Sequence, residues 1–127
     1  MSSLQTPLHK VQGLGASHSG TGHFWRQRIT AVALVPLGLW FVYAMLGLID
    51  TNEVAVLSFL SKPWNALLMA AFAATLLYHM TLGLQDIVDD YIHTPGTKVF
   101  LRIAILVAAI AVGAVSLFAI IRIAANT

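Results

Sequence analysis

The stretch ITAVALVPLGLWFVYAMLGLI, Ile29 to Ile49, contains no acidic or basic side chain. A helix needs about 20 mostly apolar residues to cross the hydrocarbon core of a bilayer, and this run meets that length. Pro36 and Gly38 lie inside it; in a membrane helix they predict a kink rather than a break. Two further runs of the same kind follow. One extends from Ala66 to Val88, with Pro63 placed for its first turn. The other extends from Val99 to Ile123, after the turn signal Pro95-Gly96. Along this last run, Ala109, Gly113 and Ser116 are small residues that permit close approach of a neighbouring helix.

Composition leads to the same class. Of the 127 residues, 58% are hydrophobic and 9% charged, and mean hydropathy is +0.82. A soluble domain carries about 25% charged residues. The expected fold is therefore all-α: an integral membrane protein with three transmembrane helices. A single domain, 1–127, would comprise a polar arm at 1–28 and spans at 29–49, 66–88 and 99–123. The net charge of +2 is small and comes mainly from terminal and juxtamembrane basic residues, which argues for membrane orientation and against nucleic-acid binding. The absence of cysteine excludes disulfides, iron–sulfur ligation and thiol catalysis by this chain. Residues 1–28 show no apolar core of a secretory signal, and the first arginine is Arg26. The mature protein is expected to begin near Met1.

Basic residues set the expected orientation. Lys10, Arg26 and Arg28 precede the first span, and Lys98 and Arg102 flank the connection between the second and third. Only Lys62 and Arg122 fall on the other side. The N-terminus is thus expected in the cytoplasm and the C-terminus outside. Such a chain has little extramembrane mass for chemistry of its own, so a partner is expected.

The second span ends in HMTLGLQDIVDDY, His79 to Tyr91, where Asp86, Asp89 and Asp90 make up three of the chain's five carboxylates. His79 lies about two to three helical turns from the cytoplasmic end. At that depth an ionisable group must face protein, water or a cofactor. Two readings stand: a neutral histidine hydrogen-bonded to a neighbouring helix, or an axial ligand to haem iron. At about 100° per residue, Thr75 and Gly83 fall within about 40° of His79 and would leave room for a flat macrocycle. Asp86 and Asp90 fall within about 20° of the same line, with Asp90 about 16 Å further along. No other histidine lies at membrane depth, so a second iron ligand would come from another protein chain.

Asp89, Asp90 and Tyr91 read either as a solvated helix end with an aromatic interfacial anchor, or as a proton-handling group. The acids oppose the helix macrodipole, so helix stability does not account for them. A tyrosine hydroxyl can donate to a quinone carbonyl and a nearby aspartate can relay a proton. Asp89 is expected to be solvated. Arg26 and Arg28 serve either as positive-inside anchors or as partners for haem propionates, and His23 either joins that site or is interfacial. Trp40, at mid-span, is expected to pack rather than to anchor.

These residues carry a resemblance. The chain resembles the D-type hydrophobic membrane-anchor subunits of succinate dehydrogenase, respiratory complex II, over nearly its whole length. HFWRQRITAVALVPLGLWF is similar to that family's arginine-threonine-alanine entry into its first helix. His79, Gly83, Asp90 and Tyr91 match its histidine, the glycine four residues on, and the Asp-Tyr pair beyond. The N-terminal arm looks most like those of alphaproteobacteria. The resemblance implies a multi-pass protein of the bacterial inner membrane that packs against a second membrane anchor subunit, also of three helices, with haem b between the two. His79 would be the haem ligand, Arg28 and His23 would approach the propionates, and Thr75 and Gly83 would form the niche. Tyr91 would hydrogen-bond ubiquinone, with Asp90 organising it or its proton supply.

The flavoprotein and iron–sulfur subunits would dock on the cytoplasmic face, and no catalysis is expected from this chain alone. Asp86 departs from the apolar or neutral residue expected on the haem-facing stripe. The competing expectations are an anchor of a related fumarate reductase, a cofactor-free structural tether, or a small transporter using His79.

Overall fold

The computed structural model describes residues 6–8 and 20–126, so His9, Lys10 and His18 of the polar arm lie outside the described residues. Within the described residues 20–126 four helices follow in order: α1, Gly20–Leu48; α2, Glu53–Ser61; α3, Pro63–Tyr91; and α4, Pro95–Ala125. No strand occurs among the described residues. Three of the helices, α1, α3 and α4, are long and apolar enough to cross a membrane. Each begins before its expected run, and α3 and α4 also end beyond theirs. The helix of α1 begins at Gly20, so the last part of the polar arm is already helical and carries His23, Arg26 and Arg28 on the same rod as the first span.

Local chemistry explains the boundaries. Pro63 and Pro95 stand in the first turn of α3 and α4, where the missing N–H has no intrahelical partner to lose. Pro36 lies within α1, which continues through it. Between α1 and α3 the chain forms a short helix, α2, which the sequence pattern does not predict. Asn52 caps it: its side chain accepts a hydrogen bond from the Ala55 N–H at 3.0 Å. Glu53 adds a negative charge in the first turn, where the macrodipole favours one. At 9 residues α2 is about 14 Å long, too short to cross a bilayer. It is held to its neighbours by the Trp40–Phe59 stack, with centroids 6.2 Å apart, and by the Asn65 amide, which donates to the Phe59 carbonyl at 3.0 Å. Trp40 is thus a packing residue.

Helix α3 is central and packs on α1 on one side and α4 on the other. Phe41 of α1 and Phe72 of α3 stack at 4.6 Å, an offset contact worth about 0.5–1.5 kcal/mol beyond its area. Across the other interface, a side chain grown from Gly113 of α4 would meet Leu77 of α3 at 3.4 Å, so the small residue permits that approach. Thr81 and Ser116 hydroxyls donate to carbonyls one turn back, Leu77 and Val112, which satisfies them in an environment without water.

Among the described residues the buried apolar ones are few: Ala44, Ala66, Leu82 and Val88. None of the apolar window of α4 is buried. In water this much exposed apolar surface is unstable; against lipid or a partner helix it is the ordinary outer face of a membrane protein.

Candidate functional site

The connectivity brings the start of α1, the end of α3 and the start of α4 to one end of the bundle. Two ion contacts show this directly. His23 of α1 lies 2.6 Å from Asp86 of α3, and Arg102 of α4 pairs with Asp89 of α3 at 2.8 Å. Four of the described cations, Arg26, Arg28, Lys98 and Arg102, therefore gather at this end, while Lys62 and Arg122 lie toward the other. The charge asymmetry expected from the sequence is present in the fold.

Within that end, α1 and α3 form an open groove of about 420 Å³, lined by Gly20, His23, Phe24, Gln27, Arg28, Ala31, His79 and Asp86. This groove unites four residues that the sequence singled out: His79, Arg28, His23 and Asp86. The ring of His79 is fixed from one side. Its Nδ1 lies 2.8 Å from the Thr30 hydroxyl oxygen of α1, and Thr30 is 9% exposed. The same hydroxyl lies 2.8 Å from the Arg26 carbonyl and 3.0 Å from the Gln27 carbonyl. The other ring nitrogen, Nε2, makes no hydrogen bond among the described residues.

The groove also holds unmet polar capacity. Gln27 Oε1 is buried without a hydrogen-bond partner among the described residues. His23 Nε2 is close to the Asp86 carboxylate, yet the approach is off the line of a ring N–H, so the two groups are in polar contact without an aligned hydrogen bond. The Arg28 guanidinium sits over the Phe24 ring at 5.0 Å and has no carboxylate partner among the described residues. Arg26 behaves differently. It donates to the Gly22 carbonyl at 3.2 Å and lines a separate groove between α3 and α4, so the two arginines serve different faces of α1.

The remaining expected residues fall as follows. Gly83 faces α1, where an added Cβ would lie 3.7 Å from the Gln27 amide nitrogen. Thr75 is half-buried and does not line the groove. Asp90 and Tyr91 are exposed at the end of α3, neither with a side-chain partner among the described residues, and Tyr91 is 77% exposed. Asp89 is exposed, as expected, and also pairs with Arg102. Two residues to which the sequence reading gave no role, Thr30 and Gln27, belong to the site. Their positions, three residues apart on α1, place them on its inner face, but a lone threonine and glutamine beside an arginine pair carry no distinguishing signal.

Among the described residues no group of three His, Asp or Glu stands ready to hold a metal ion. An iron at His79 would thus need a macrocycle and a ligand from elsewhere. The residues present fit one side of a haem site: an imidazole nitrogen, a guanidinium and a buried amide oxygen that have no polar partner among the described residues, and small neighbours in Gly20 and Ala31.

The fold and the groove define a multi-pass helical membrane protein whose polar chemistry is concentrated at one membrane face. Residues 2–115 match the family described as succinate dehydrogenase/fumarate reductase transmembrane subunit, and the chain belongs to that family. It is 33% identical over 86 residues to the succinate dehydrogenase hydrophobic membrane anchor subunit of Paracoccus denitrificans, covering 68% of this chain and 67% of that one. The protein of the same description from Rickettsia bellii is 33% identical over 89 residues, covering 70% and 71%. The succinate dehydrogenase membrane anchor subunit of Reclinomonas americana is 28% identical over 84 residues, covering 64% and 70%. No solved structure matches. The resemblance read from the sequence is thereby borne out, including its alphaproteobacterial character.

Proposed function

We propose that the chain is the membrane-anchor subunit of a succinate:quinone oxidoreductase in a bacterial inner membrane, with its N-terminus in the cytoplasm. In this role it supplies one axial ligand of a haem b shared with a second anchor subunit, contributes to the ubiquinone-reduction site, and tethers the flavoprotein and iron–sulfur subunits. The observation that carries the reading is the α1–α3 groove, where His79 keeps Nε2 without a partner two turns inside a cationic membrane face.

Each part of the chain has a stated task. Thr30 holds the His79 ring against α1. Arg28 offers its guanidinium to a carboxylate at the groove mouth. Bound haem supplies a one-electron carrier within the membrane. Asp90 and Tyr91, at the end of α3, stand where a quinone headgroup can reach from the bilayer: the tyrosine hydroxyl donates to a carbonyl, and Asp90 holds a proton for transfer. The names of the relatives favour succinate oxidation over the related fumarate-reducing role.

The optical spectrum of the purified complex tests the haem role. A b-type absorption that His79→Ala removes is expected. A complex without that absorption, or one in which His79→Ala leaves it unchanged, would reduce the chain to a structural tether.

A further inference from the structure

We infer that Thr30 is a positioning residue for the iron ligand: its hydroxyl accepts a hydrogen bond from the His79 Nδ1–H and so holds the imidazole in the tautomer that presents Nε2. This role rests on the haem reading of His79 and extends it to a residue outside the groove lining.

Thr30 Oγ1 has a single proton and three close polar neighbours. Two of these, the carbonyls of Arg26 and Gln27, only accept. The third, His79 Nδ1, donates or accepts according to the ring tautomer. Iron ligation through Nε2 requires the lone pair there and therefore the proton on Nδ1. Thr30 then accepts from Nδ1–H, and its own proton turns back to the Arg26 or Gln27 carbonyl. Every group is satisfied in that arrangement, and the carbonyls one turn back give the hydroxyl proton a place to go.

A hydrogen bond from the distal N–H of a ligating histidine orients the ring and raises the basicity of the ligating nitrogen. More electron density at Nε2 favours the oxidised iron and lowers its reduction potential. The bond also joins two helices. Thr30 lies two residues from Arg28 on α1, so one rod sets both the angle of the ring and the place of the cation beside it. The threonine of the helix-entry sequence RQRITA thus has a specific task rather than serving only as a small polar residue.

The test uses the complete complex with its partner subunits and compares Thr30→Val, Thr30→Ser and His79→Ala. The readouts are haem retained per complex and the haem midpoint potential from a redox titration. Thr30→Val is expected to weaken haem retention about 10- to 100-fold and to shift the midpoint upward, while Thr30→Ser restores both. An unchanged midpoint and retention in Thr30→Val would overturn the inference. Equal changes in the valine and serine variants would also overturn it, because packing would then be the cause. If Thr30→Val fails to assemble, the redox-difference infrared spectrum of the wild-type complex labelled with 15N-histidine decides. A protonated, hydrogen-bonded Nδ1 supports the inference and an unprotonated Nδ1 overturns it. His79→Ala separates the two levels of failure. Haem that survives His79→Ala removes the ligand reading and this inference with it; haem lost in His79→Ala but unperturbed in Thr30→Val removes only the role of Thr30.

Discussion

Arg102 of α4 donates from one guanidinium nitrogen to both carboxylate oxygens of Asp89 of α3, at 2.9 and 2.8 Å. Lys98 reaches the backbone carbonyl of the same residue at 3.4 Å. Together with the His23–Asp86 contact, this divides the acid cluster. Asp86 faces α1, Asp89 faces α4, and Asp90 is left without a partner among the described residues. An excess of carboxylates at one helix end thus separates into two inter-helix contacts and one free acid.

The Asp89–Arg102 pair is an interhelical clasp with a small energetic effect. Both side chains are about two-fifths exposed, and an exposed pair contributes between zero and about 1 kcal/mol. Asp89→Asn is expected to lower the thermal stability of the complex only slightly, and less still at high salt. Thermal unfolding at two ionic strengths checks this. A loss well above that range would show that the pair is desolvated in the assembled complex.

Asp90 and Tyr91 are the residues whose removal should affect quinone chemistry without affecting the fold. Neither makes a side-chain hydrogen bond or ion pair to another helix among the described residues. Tyr91→Phe and Asp90→Asn are expected to reduce quinone-dependent turnover at least several-fold, since a positioned proton donor contributes on the order of 10²–10⁴-fold to such steps. Succinate oxidation with a water-soluble artificial acceptor should stay at the wild-type rate. Equal loss of both activities would indicate defective assembly instead.

The three spans are legible in the sequence because the bilayer imposes one strong rule: backbone groups must be satisfied within the segment, so a long apolar run is a helix. Pro63 and Pro95 then mark two helix starts. Helix α2 is not legible, because a run of nine residues between two spans gives no clear hydrophobic period, and its cap is a single asparagine. In the site, His79 stands out as an ionisable residue inside an apolar helix. Thr30 does not, since its role depends on α1 lying against α3 at one register, which no local pattern states. The same limit applies to Asp89. Helical periodicity places it away from the His79 stripe but says nothing of Arg102, 13 residues on and in another helix.

Gly113 gives a direct test of the α3–α4 packing. An added Cβ would lie 3.4 Å from the terminal methyl of Leu77, which is ordinary contact, so Gly113→Ala should be tolerated. A larger side chain must push past Leu77 or turn into the α3–α4 groove that Gly113 also lines. Gly113→Leu is expected to cost about 1–3 kcal/mol by overpacking, read as a lower melting temperature of the complex or a lower yield of assembled enzyme. Equal behaviour of the alanine and leucine variants would mean that α4 can move away from α3 freely.

Arg28 and His23 both line the groove beside His79, yet they should not be equivalent toward a haem propionate. The Asp86 carboxylate lies 2.6 Å from His23 Nε2, so an incoming carboxylate at His23 meets a like charge already in place. Among the described residues Arg28 has only the Phe24 ring beneath it, which leaves its guanidinium edge available for a bidentate contact. Arg28→Ala is therefore expected to lower haem content more than His23→Ala does. Asp86→Asn should move His23 toward equivalence, because it removes the competing charge while leaving a side chain of similar size. Haem content per complex in the three single variants and in the His23→Ala/Asp86→Asn pair measures this. If His23→Ala is the more damaging single change, the propionate contact belongs to His23 and the Asp86 contact must open when haem binds.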